Sequence, residues 1–160
     1  MTKALTIGLA LAAILLAGEA QSTAAVGLST RVSSLIARMD ARQVVTVSNK
    51  PWQVPAAVAK ARGTFTGRLD DRARKLTWHL TYSGVGASAL QIADIHLGKP
   101  GHFGQILVRL CASCRTDQSG VKKISLSAER AIKSGAAWIT LITDRYPNGV
   151  IRGQIKATPR

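Results

Sequence analysis

From residue 76 to residue 82 apolar and polar side chains alternate without a miss. Leu76, Trp78, Leu80 and Tyr82 fall on one side, and Thr77, His79 and Thr81 on the other. Successive side chains of a strand point to opposite faces, so a period of two predicts a half-buried β-strand. Such a strand needs partners, and its neighbours supply them. Residues 63–69 set Phe65, Gly67 and Leu69 against Thr64, Thr66 and Arg68, and a charged turn over residues 70–75 joins the two runs into a hairpin.

The same reading extends along the chain. Residues 43–48 are short and β-branched, and Asn49-Lys50-Pro51 breaks them. Residues 90–97, 105–110, 122–126, 136–143 and 150–157 read as further strands. Gly84 and Gly86, Lys99-Pro100-Gly101 and Pro147-Asn148-Gly149 mark turns between them. Residues 127–133 read as a short helix closed by Gly135. Seven or eight short strands with frequent turns predict an all-β Greek-key sandwich or barrel. Ahead of it, residues 26–42 read as a short amphipathic helix or a linker. Val32, Leu35, Ile36 and Met39 share one face of a helical wheel, and Ser29 or Thr30 would cap its start.

The N-terminus has a different character. Lys3 precedes an apolar run over residues 4–17, and small residues follow. That order is the layout of a secretory signal peptide, with cleavage expected between Ala20 and Ala25. A spanning helix wants about 20 apolar residues, and Glu19 interrupts sooner. The predicted organisation is a signal peptide over 1–24, a linker or short helix over 25–42 and a β domain over 43–160. The expected address is periplasmic or secreted, with no transmembrane span in the mature chain.

Cys111 and Cys114 form a Cys-x-x-Cys pair. A zinc site needs two more ligands at matching spacing, and haem attachment needs a histidine where Arg115 stands. A thioredoxin-type pair opens a helix, whereas here the chain continues Thr116-Asp117-Gln118-Ser119-Gly120. In an oxidising compartment a small structural disulfide is the expected state.

Twenty-two Lys and Arg against eight Asp and Glu give a net charge of +14. Such a field attracts polyanions. Arg68, Arg72, Arg74 and Lys75 crowd one hairpin and form a candidate anion-binding patch; Arg62 lies close by in sequence, and Lys122 and Lys123 open a later strand. Anionic polysaccharides and lipid head groups are the expected partners in an envelope. Nucleic acid is not expected, because no recognition motif is present and aromatic residues are few. Asp70-Asp71 in the same turn reads as a solvated loop rather than a catalytic carboxylate pair.

Three stretches carry a family resemblance: Leu76-Thr-Trp-His-Leu-Thr-Tyr-Ser-Gly84 with Ala93-Asp-Ile-His-Leu-Gly98, then Gly135-Ala-Ala-Trp-Ile-Thr-Leu-Ile-Thr143, then Pro147-Asn-Gly-Val-Ile-Arg-Gly-Gln-Ile155. Their order and spacing resemble the CHRD domain, found widely in exported bacterial proteins. The resemblance runs over residues 43–157 and includes 49–55, a variant of the family's Pro-containing loop. It implies an immunoglobulin-like or dismutase-like β-sandwich with an extracytoplasmic binding or structural role.

The departures from the family pattern fall where chemistry would be sought. Members commonly carry His-Ile-His in the middle stretch and a histidine before the Thr of the penultimate strand. Here those positions are Asp94, His96 and Ile142, and Val150 replaces an expected glutamate. Asp94 and His96 share a strand face about 6.6 Å apart, and Arg152, which is retained, is expected to pair with a buried group such as Asp94. This gives a candidate polar cluster of Asp94, His96 and Arg152. His96 is the best candidate for chemistry, although a hydrogen-bonded structural role is favoured. His79 reads as solvated and His102 as a loop residue. No catalytic residue, metal or cofactor is expected. The alternative is a degenerate metal-binding or dismutase-like enzyme, which three scattered histidines do not support.

Overall fold

The computed structural model describes residues 32–86 and 91–160. The expected signal peptide and its cleavage sites lie outside the described residues. Among those described, no helix is long and apolar enough to cross a membrane.

The elements in chain order are β1 (Val32–Asp40), β2 (Arg62–Asp70), β3 (Lys75–Ser83), β4 (Gln91–Leu97), β5 (Ile106–Cys111), β6 (Asp117–Lys123), α1 (Leu126–Lys133), β7 (Ala137–Thr143), β8 (Ile151–Gln154) and β9 (Lys156–Pro159). The strands form one antiparallel sheet in the order β5-β4-β7-β8-β1-β2-β3-β6, with β9 also on β1. The sheet curls into a nearly closed barrel of the all-β class expected. Its seam lies between the end strands β5 and β6.

The hairpin expected over residues 63–82 is β2–β3. Leu76, Trp78, Leu80 and Tyr82 point inward, opposite Leu69, Gly67, Phe65 and Gly63. Phe65, Leu69, Leu76, Leu80, Ile95 and Ile139 have essentially no exposure, and each such side chain contributes about 1.5–3 kcal/mol by burial. Trp78 faces Gly120 of β6, where a Cβ would stand 2.6 Å from Cζ2 of the indole. Only glycine lets that ring lie across the edge strand.

The helix or linker expected over residues 26–42 is corrected where it is described: Val32–Asp40 is a strand, and a central one, while residues 26–31 lie outside the described residues. Ser33, Leu35, Ala37 and Met39 point inward while Ile36 and Arg38 face out. Leu35 and Met39 satisfy both a helical and a strand period, so the pattern alone was ambiguous. Pairing along all nine residues with β2 decides it, since helix propensity is a weak preference that tertiary pairing overrides. The β domain therefore includes Val32–Asp40, ahead of residue 43.

The short strand expected over 43–48 is also replaced. Asp40 Oδ1 accepts from the amides of Arg42 and Gln43 and caps a 3₁₀ turn, Ala41–Gln43. Only a single bridge, Val45 to Pro51, follows, because proline has no N–H to extend a ladder. The final run divides at Ile155 into β8, which pairs with β7, and β9, which pairs with β1. Helix α1 forms as expected, with Ser125 Oγ accepting from the Ala128 amide at its start and Gly135 at φ +73° beyond its end.

Candidate functional site

The Cys111–Cys114 sulfurs are at bonding distance, and the pair closes the loop that leaves β5. That loop crosses the seam of the barrel. The Cys114 amide donates to the Gln91 carbonyl, and the Tyr82 amide and hydroxyl donate to the carbonyls of Thr116 and Cys114. The disulfide therefore holds a clasp between β4 on one side and β3 on the other.

On the outward face of β4, β7 and β8, side chains meet in rungs: Asp94 with Thr140 and Arg152, His96 with Trp138 and Gln154, Ile92 with Ile142. Asp94, His96, Thr140 and Arg152 are all buried although they point away from the barrel interior. The loop over residues 98–105 covers His96 and Arg152. Gly104 packs so closely on the Leu97 carbonyl that any Cβ would collide with it.

Within this layer the expected partner of Asp94 is corrected. Its carboxylate is held by Arg109, with Nε at 3.0 Å and Nη2 at 3.1 Å. A β-bulge makes this possible: Ala93 faces Cys111 but Asp94 faces Arg109, so Leu110 is passed over and turns into the core. Arg152 instead donates to the carbonyls of Lys99 and His102 and lies 3.8 Å over the Trp138 ring. Burial lowers its pKa to about 10, so it stays charged at neutral pH.

His96 stacks on Trp138 at 4.2 Å, and its Nδ1–H donates to the Gly104 carbonyl at 2.9 Å. Its pKa is lowered, chiefly by burial, and the hydrogen bond to Gly104 and the charge of Asp94 offset this in part. The ring is thus a neutral imidazole whose Nε2 is buried without a hydrogen-bond partner, as is Nη1 of Arg152. Both oxygens of Asp94 are committed to Arg109, and Ile142 offers only carbon. His96 Nε2 is therefore the one donor these positions can give a metal, and among the described residues no group of three His, Cys, Asp or Glu side chains comes together. The residues do not fit a redox metal. His96 and Arg152 instead fasten the 98–105 loop to the sheet.

The second candidate is the cationic hairpin. Arg68 points outward from β2, Lys75 outward from β3, and Arg72 and Arg74 stand exposed in the turn between them. The register adds a residue that the local sequence could not: Lys123 of β6 lies directly opposite Lys75, and both are exposed. Like charges facing each other across a ladder destabilise it. The acids of the turn are committed elsewhere. Asp70 accepts the Ala73 amide, and Asp71, read above as solvated, is largely buried and paired with Lys133 of α1. The Arg74 carbonyl accepts from the Ile124 amide at 2.9 Å, which ties the turn to the end of β6. The polar face continues with His79, which is exposed as expected but bonded to Asp117 at 2.8 Å.

The family model of the CHRD domain matches residues 36–155. No curated protein and no solved structure matches the chain.

Proposed function

Since the chain belongs to the CHRD domain family, whose domains are in general non-catalytic binding or structural modules, we propose that it is an exported module that attaches to anionic polysaccharide of the cell envelope. The attaching surface is the outward face of β2, β3 and β6 at the turn end of the hairpin. One observation carries this reading: Lys75 and Lys123 oppose each other, while Asp70, which faces Lys75 from β2, turns Oδ1 to the Ala73 amide. Arg68, Arg72 and Arg74 surround that pair. A bound anion relieves the repulsion between neighbouring cations, so a ligand there recovers what the bare ladder loses. The signal-peptide layout of residues 1–24 supports an extracytoplasmic setting in which such polymers occur.

Co-sedimentation tests the reading. The Lys75→Glu/Lys123→Glu double variant should lose binding to an insoluble acidic polysaccharide that the parent chain retains at low salt. Binding by the parent to anionic lipid vesicles but not to the polysaccharide would replace the ligand with a lipid surface.

A further inference from the structure

At the opposite end of the barrel from the cationic turn, beyond Asp40 of β1, lies a groove of about 160 Å³. The loop after β1 contributes Val44, Val45 and Trp52, and the β7–β8 turn contributes Arg145, Tyr146 and Asn148. Both walls are built from fixed backbone. The Trp52 amide donates to the Val44 carbonyl at 3.2 Å and the Thr46 amide to the Lys50 carbonyl at 2.9 Å. Across the groove, the Tyr146 amide donates to the Thr143 carbonyl at 3.1 Å. Trp52 and Tyr146 meet edge to face, with centroids 5.5 Å apart and planes at 70°. Trp78 and Trp138 are buried, whereas Trp52 is partly exposed to this groove.

An aromatic wall with a few polar groups at its rim is the usual make-up of a small-ligand site. The volume is below the roughly 300–1,000 Å³ of sites for drug-sized molecules, so it suits a single ring. A pyranose presents an apolar C–H face to an indole and hydroxyls to a rim such as Asn148. Arg145 is the charged residue of the lining, and Asp144, its neighbour in the chain, lies outside the lining with Oδ1 accepting from the Arg145 amide at 2.9 Å. A guanidinium selects a carboxylate.

We propose that this groove binds one uronic acid residue, its C–H face on Trp52 and its carboxylate toward Arg145. The inference rests on the acidic-polysaccharide reading for the source of the sugar, but it concerns a separate surface that acts at short range. The cationic face attracts the polymer, and the groove recognises its unit.

The test is calorimetric titration of the full chain with a galacturonic acid tetramer and, as control, the neutral glucose tetramer, in about 0.5 M NaCl where the Debye length is only about 4 Å. Saturable binding of the acidic tetramer is expected, with Trp52→Ala weakening it by about tenfold or more, equivalent to about 1.4 kcal/mol. Arg145→Gln, an exposed change that leaves the fold alone, should reduce the acidic tetramer to the affinity of the neutral one. Lys75→Glu/Lys123→Glu should leave this binding unchanged. No saturable binding, equal affinity for the two tetramers in the parent chain, or indifference to Arg145→Gln would each overturn the groove proposal. Low-salt attachment that is still lost in Lys75→Glu/Lys123→Glu would then leave the cationic-face reading standing.

Discussion

Asp94 and Arg109 face each other across a β-bulge, and the fully buried carboxylate takes both of its hydrogen bonds from a guanidinium that is half exposed. The pair anchors the outward face of β4. Removing the arginine would strand a buried charge, which is the costly way to break such a pair.

Arg109→Met is therefore expected to destabilise the domain by about 2–3 kcal/mol, toward the low end of buried-pair values because water reaches the side that Arg109 vacates. Asp94→Asn in the same background should recover a good part of this. Urea denaturation of the two single variants and the double variant measures the coupling. Equal and additive losses would show that the contact is incidental.

His96 makes stability depend on pH with a definite sign. Its folded-state pKa lies below the ordinary histidine value, so between the two values the unfolded chain binds the proton more readily. This contribution to stability is full above the unfolded pKa of about 6.5 and declines as the pH falls through it. Protonation would also place an N–H at Nε2, where no acceptor stands. The melting temperature should fall between about pH 7.5 and about pH 5. His96→Asn, which keeps a donor for the Gly104 carbonyl but does not titrate, should be less stable throughout and show a flatter profile. Parallel profiles would remove His96 as a source of the pH dependence.

The disulfide should matter locally. Closing so short a ring stabilises by about 2 kcal/mol on the chain-entropy estimate. Cys111→Ala/Cys114→Ala should fold, with a melting temperature several degrees lower. Hydrogen exchange should rise first at the Cys114 and Tyr82 amides, which the clasp ties to the Gln91 and Thr116 carbonyls. Uniform loss of protection would show that the loop has no separate role.

What could be read in advance divides along a physical line. Leu76 to Tyr82 announced their strand because one face is buried and one is wet, and the Pro147-Asn148-Gly149 turn announced itself through residues chosen for backbone shape. β1 did not, because Leu35 and Met39 fit two periods and only its pairing with β2 separates them. Asp94 and His96 were legible as neighbours on a strand. Arg109 was hidden, since simple alternation would have set Leu110 opposite Asp94 and only the bulge re-aims the strand. Similarly, Arg72, Arg74 and Lys75 are adjacent in sequence, whereas Lys123 joins them only through the register of β3 with β6.

Localised attachment at the β2–β3–β6 face is open to a simple measurement, retention on a heparin column across a salt series. Screening shortens the Debye length from about 10 Å at 0.1 M to about 3 Å at 1 M, so retention of the parent chain should fall steeply over that range. Arg72→Glu/Arg74→Glu/Lys75→Glu should elute at markedly lower salt than Lys60→Glu/Lys99→Glu/Lys156→Glu, which changes the net charge equally at exposed positions elsewhere. Equal shifts for the two variants, or passage of the parent chain through the column at low salt, would show that no localised cationic face attaches the polymer.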